Sequence, residues 1–241
     1  MTQSLADSLE QHRISLPKVQ VRKLDTFCQL LWSWNERINL TRHTSYEKFV
    51  ARDVVDSLAL AELLRPGERI LDVGTGGGVP GIPLAIFRPD LKVELCDSTG
   101  KKTLAVSEMV QELRLDIPVY HAKAETLLLE KGKRFTTLTV RGVSRMVSIL
   151  RSFAPCWSSF DRMLLVKGPK WTEERGEARH YNLMKNIALR CVKTYPTKIS
   201  ESETVESVVL QLCLKENFEQ LDKVIDRHLQ RTTCKPPQVG G

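Results

Sequence analysis

Between Pro17 and Asn39 the apolar positions Val21, Leu24, Phe27, Leu31, Trp34 and Ile38 recur at steps of three and four. That spacing predicts an amphipathic helix over 17–39, opened by Pro17. A second helix is expected from Thr44, where Thr44 and Glu47 stand at capping-box spacing. It runs through Phe49, Val54, Leu58, Ala61 and Leu64 to a stop at "RPG". Residues 1–66 therefore read as a helical N-terminal extension. From Glu68 the period changes to short apolar runs, "RILDVG", "KVELCD", "IPVYHA", "FTTLTV" and "RMLLVKG", each a strand candidate. Helices are expected between them at 80–88, 100–114, 123–130, 144–153 and 172–188, which predicts a right-handed, doubly wound parallel sheet over 67–215. Two more strands, near 190–196 and 205–214, are joined only by the polar "TKISESE" and predict an antiparallel pair at one edge. Residues 216–241 read as a short helix followed by a frayed Pro- and Gly-containing end.

Composition narrows this α/β picture. A chain of 241 residues that is 41% hydrophobic can bury one large core. No stretch approaches the roughly 20 apolar residues of a membrane span, and "MTQSLADSLEQHRISLPK" lacks the apolar centre of a secretory signal. A cytoplasmic protein is expected. The six cysteines form no CxxC pair and the five histidines are dispersed, so no metal is expected and a bound cofactor is the better source of chemistry. Lys plus Arg exceed Asp plus Glu by 36 to 29, a net charge of +7. That suits a polyanionic partner or a merely soluble basic surface.

The chemistry concentrates at "LDVGTGGGVPGIP", residues 71–83. Gly74, Gly76 and Gly78 spell GxGxG, and Gly76, Gly78 and Gly81 spell GxGxxG; Gly74, Gly76 and Gly78 are expected to let a bound cofactor lie directly against the backbone. A dinucleotide would need amide donors at the following helix start, where Pro80 and Pro83 remove them, and Asp72 would repel a pyrophosphate. Ile82 stands where a P-loop needs lysine. A ligand with a cationic end fits better. S-adenosylmethionine is such a ligand, its ammonium expected on Asp72 and its ribose hydroxyls on Asp97, which ends the second strand. Ordinary capping roles for both acids remain the alternative.

"LDVGTGGGVPGIPLAIFRPD" followed by "ELCDSTGKK", together with "WNERINLT", "ARDVVDSL", "LTVRGVS" and "LLVKG", resembles the bacterial small-subunit (16S) ribosomal RNA guanine-N7 methyltransferase family, the methyltransferase G or glucose-inhibited division protein B family. The resemblance spans residues 24–215. It implies a Rossmann-like class I S-adenosylmethionine-dependent methyltransferase fold with a helical extension. It further implies S-adenosylmethionine as donor and a guanine N7 in small-subunit ribosomal RNA as acceptor. Carried over, the cofactor contacts fall on Gly74, Val79, Ala124 and Glu125, with Arg141 lining the site and available to hold the guanine through O6 or a phosphate. The family usually has Pro at Gly77, His at Asp53 and "SRA" where this chain has "VRG". N7 carries a free in-plane lone pair at neutral pH, so no general base is required and alignment becomes the catalytic task. An RNA track is expected on Lys101, Lys102, Arg145, Arg151, Lys167 and Lys170, with Arg13, Lys18, Arg22 and Lys23 adding charge. The partner is then ribosomal RNA or an assembling small subunit, with a monomer favoured. A nonenzymatic ribosome-binding factor and an NAD-dependent dehydrogenase are the competing readings.

Overall fold

A computed structural model describes residues 3–131, 134–198, 203–221 and 223. The chain opens with α1 (Leu5–Gln11), which the periodicity did not predict. Ser4 caps it reciprocally with Asp7, and Leu5 and Leu9 are buried. The expected amphipathic helix is α2 (Lys18–Asn35). The next helical stretch is interrupted rather than continuous: α3 (Tyr46–Lys48), a π-helical turn (Phe49–Val54), then α4 (Val55–Ala61). Its cap is Ser45, whose hydroxyl accepts from the Lys48 amide, and not Thr44.

Each apolar run then forms its strand: β1 (Arg69–Val73), β2 (Lys92–Asp97), β3 (Val119–His121), β4 (Phe135–Arg141) and β5 (Phe160–Lys167). Between and after them lie α5 (Gly81–Phe87), α6 (Gly100–Glu112), α7 (Ala124–Lys131), α8 (Met146–Phe153) and α9 (Trp171–His180). α9 ends well short of the expected 188. Asn182 adopts φ of 56°, a left-handed residue that stops the helix, and β6 (Ile187–Lys198) starts soon after. β6 pairs with β7 (Thr204–Leu214), the expected antiparallel edge, with a bulge between Cys191 and Lys193. The expected tail helix falls largely outside the described residues.

The seven-stranded sheet runs β3-β2-β1-β4-β5-β7-β6, with β1 to β5 parallel. Strand order reverses between β1 and β4, and in open sheets of this kind ligands bind beyond the strands' carboxyl ends at such a point. The N-terminal helices share one apolar cluster with α5 and α6, including an edge-on Phe27–Phe49 pair with ring centroids 6.0 Å apart. α7 and α8 cover the opposite face. At the amino ends of the parallel strands, buried Arg162 of β5 donates to Leu63 O at 2.8 Å, to Thr137 Oγ1 at 2.9 Å and to Glu68. This ties the exit of α4 to the strands. Among the described residues no helix is long and apolar enough to cross a membrane.

Candidate active site

The turn after β1 is braced by the two acids the sequence singles out. Asp72 is fully buried. Its Oδ2 accepts from the Gly81 amide at 3.1 Å and its Oδ1 from the Thr139 hydroxyl at 2.9 Å. Asp97 accepts from the Gly76 amide at 3.0 Å and from the Thr99 amide at 2.8 Å. Gly74, Gly76 and Gly78 have φ of 64°, 59° and 89°. At Gly76 that left-handed backbone is what lets the turn lie back onto Asp97. Gly81 serves closeness instead: a Cβ there would stand 2.1 Å from Leu95 Cδ2. The start of α5 uses its own donors, since Gly81 N–H goes to Asp72, Ile82 N–H to Gly78 O and Leu84 N–H to Pro80 O. No amides remain there for a pyrophosphate.

Two hollows flank the turn. The smaller, about 200 Å³, is lined by Asp97, Ala122, Ala124, Glu125 and Phe153. Cys96 also lines it; burial pushes that thiol up to about 12, so the wall it contributes is neutral. The larger, about 520 Å³, is lined by Thr75, Gly76, Val79, His43, Asp53 and Arg141, among others. Gly74 belongs to both. Val143 lies over it, because a Cβ on Gly74 would come within 2.8 Å of Val143 Cγ2. The Thr75 side chain is buried under the turn, close enough to Asp72 to favour its carboxylate form.

That hollow contains a linked set of ionisable groups. Arg141, at the carboxyl end of β4, donates from Nε to Asp56 at 2.7 Å and from Nη2 to Asp53 at 2.6 Å. The other Asp53 oxygen meets His43 Nδ1 at 2.9 Å, and the other Asp56 oxygen accepts from Tyr195 at 2.8 Å. The Asp53 and Asp56 side chains are 3% and 2% exposed, against 27% for His43. Burial lowers the Arg141 pKa, but the two carboxylates outweigh it and hold the guanidinium above its ordinary value. Burial, aided by Asp56, raises the Tyr195 phenol. Two carboxylates against one guanidinium leave a formal surplus of one negative charge whenever His43 is neutral.

Several expected positions move. Asp72 lines neither hollow, and both its oxygens are engaged beneath the turn, so the direct ammonium contact expected of it has no open face. Gly78 lines neither hollow either; a Cβ on it would meet Ile82 Cδ1 at 2.6 Å, which makes it a packing residue. Gly74, Gly76, Val79 and Arg141 line the larger hollow; Asp97, Ala124 and Glu125 line the smaller. In the expected RNA track, Lys102 and Lys167 line the larger hollow, Lys167 while paired with Glu174, and Arg145 pairs with Glu177. Arg151 lies over the Tyr181 ring. His43, Asp56 and Tyr195 are site residues the sequence reading missed. The Asp53 to Asp56 spacing, one helical turn, was the available signal.

The family model described as rRNA small subunit methyltransferase G matches residues 20–204. The chain belongs to this family. It is 48% identical over 200 residues to the ribosomal RNA small subunit methyltransferase G of Rhodopirellula baltica, covering 83% of this chain and 86% of that one. It is 33% identical over 198 residues to the protein of the same name from Desulfitobacterium hafniense, covering 80% and 82%. Among solved structures, TrmK from M. capricolum in complex with S-adenosylhomocysteine is similar in fold, with a TM-score of 0.52 at 12% identity, over 76% of this chain and 88% of that one. The architecture is the class I methyltransferase fold. Within it, this member's Gly77 has a physical reason: a Cβ there would stand 2.8 Å from Leu31 Cδ1 and 3.3 Å from Leu40 Cβ. Asp53 likewise holds Arg141 on one oxygen and His43 on the other.

Proposed function

We propose that the chain transfers the methyl group of S-adenosylmethionine to N7 of a guanine in small-subunit ribosomal RNA. The observation that carries this is that the two hollows adjoin at Gly74, a mainly apolar recess edged by the carboxylates of Asp97 and Glu125 on one side and a charged chamber on the other, so that one ligand can lie across the turn. Asp97 and Glu125 would hold the adenosine part, with Ala124 as apolar wall. Gly74, Gly76 and Val79 would face the methionine part. When bound, this cofactor supplies a methyl group on a positively charged sulfur.

The chamber residues suit a nucleophile that needs no deprotonation. Arg141 is fixed by two carboxylates, so its guanidinium can meet guanine O6 or a phosphate without reorganising, while a contact to N7 itself would block the attack. Arg42, Arg52 and Lys102 line the same chamber, which makes it net cationic and suits a phosphate-bearing acceptor. The consumed donors at the start of α5 argue against a nicotinamide dinucleotide. Small-subunit ribosomal RNA or the assembling subunit is the partner, in the cytoplasm, and the chain acts as a monomer.

Incubation with methyl-labelled S-adenosylmethionine and ribosomal RNA lacking the modification tests this. After digestion to nucleosides, label is expected in 7-methylguanosine. Cofactor binding without transfer would support a nonenzymatic ribosome-binding factor, and label in another nucleoside would contradict the N7 assignment.

A further inference from the structure

A third hollow, about 460 Å³, lies far from the glycine turn. It is lined by Ile187 and Leu189 of β6 and by Lys215 after β7. Leu212 of β7 pairs with Met163 near the start of β5, so this hollow opens at the amino ends of the parallel strands. The cofactor groove opens at their carboxyl ends. The eight residues of β5 separate the two edges by about 26 Å at roughly 3.3 Å per residue.

Four cations from three segments converge there: Arg175 and Arg179 of α9, Lys185 from the following turn, and Lys215. No carboxylate lines the hollow, and among the described residues none of the four forms an ion pair with one. Two of the three α9 glutamates are used elsewhere. Glu174 serves Lys167 and the Met146 amide, and Glu177 serves Arg145, on the side of α9 that meets α8. α9 thus spends Glu174 and Glu177 on Lys167 and Arg145 and presents Arg175 and Arg179, four residues apart and on one face, to the distal hollow. Arg175 rests over the Trp171 ring at 5.3 Å, and Phe218 adds an aromatic surface.

We propose that this hollow binds backbone phosphates of the substrate RNA at a segment remote from the methylated guanine. The inference rests on the proposed RNA substrate and adds to it a second anchoring site. Converging cations without carboxylates favour a polyanion, and the aromatic and apolar lining favours nucleotides over a bare anion. A ligand that engages both edges must span about 26 Å, which a segment of small-subunit ribosomal RNA can do.

The test uses the full chain with Arg175, Arg179, Lys185 and Lys215 all changed to Gln, and a second variant carrying only Arg175→Gln and Arg179→Gln in case the first does not fold. RNA affinity is measured across a salt series beside S-adenosylmethionine affinity, melting temperature and steady-state methylation. Wild type is expected to bind RNA with a steep salt dependence. The fourfold variant should lose tenfold or more in affinity and about 3 from the log–log salt slope, at roughly 0.7–0.9 per phosphate contact. KM for RNA should rise with kcat, cofactor affinity and melting temperature unchanged; the double variant should show about half the loss of slope. Unchanged RNA affinity and slope in a folded variant overturns the proposal, as does a defect confined to binding an isolated ribosomal protein. A wild-type chain that fails to methylate RNA at all would instead overturn the proposed function.

Discussion

Asp72 stands immediately before the glycine turn, where a carboxylate reads naturally as a ligand for a cation. Burial raises its pKa to about 6, partly offset by hydrogen bonds from Thr75, Thr139 and the Gly81 amide. The unfolded value is about 3.9, so the folded state holds this proton more tightly. Asp72 therefore favours folding below about pH 4, and that contribution is lost as pH rises through 6, by about 3 kcal/mol from a shift of about two units. Asp72→Asn cannot ionise and can still accept from Gly81. Urea unfolding of wild type and variant across pH 4–7 should show wild type losing stability relative to Asp72→Asn over that window. Parallel curves would mean the carboxylate is not confined as described. The presence of Asp72 was legible in the sequence but its burial was not, because the alternation of a parallel strand covered on both faces carries no inside and outside. Gly78 was misplaced for a related reason: a glycine kept for close packing looks the same in sequence as one kept for a ligand.

At the scale of elements, the site depends on how the helical segment before the sheet meets β4 and β6. The π-helical turn and α4 carry Asp53 and Asp56 on one side, β4 delivers Arg141, and β6 delivers Tyr195. Removing the guanidinium would leave two nearly inaccessible carboxylates facing one another. Arg141→Ala should therefore cost about 3–5 kcal/mol in chemical denaturation, the range for breaking a buried ion pair from one side. Arg141→Lys, which keeps the charge but not the two-pronged geometry, should cost less and still reduce methyl transfer. Equal stability of wild type and Arg141→Ala would show that the cluster does not join these elements. The strands were legible here, since their apolar runs are dense. The π-helical turn was not, because its residues satisfy an ordinary helical period. The helix expected over 172–188 overshot because hydrophobic spacing does not register a single left-handed residue, Asn182, that ends α9.

For the molecule as a whole, the strand order puts the β1 turn and the end of β4 side by side at the reversal point, so residues as far apart in sequence as Gly74, Asp97, Glu125 and Arg141 border the two adjoining hollows of the proposed groove. The parallel sheet, its antiparallel edge and the glycine turn were readable from residue patterns alone. His43 and the distal basic hollow were not, since both arise from contacts between segments that are remote in sequence. The account stands on that groove as the seat of the methyl donor. A crystal structure of the chain with S-adenosylhomocysteine tests it most directly. Adenosine in the recess beside Asp97 and Glu125, with the amino-acid end crossing Gly74 toward Thr75 and the Arg141 chamber, is the predicted result. The same compound bound elsewhere, or absent at saturating concentration, would contradict it.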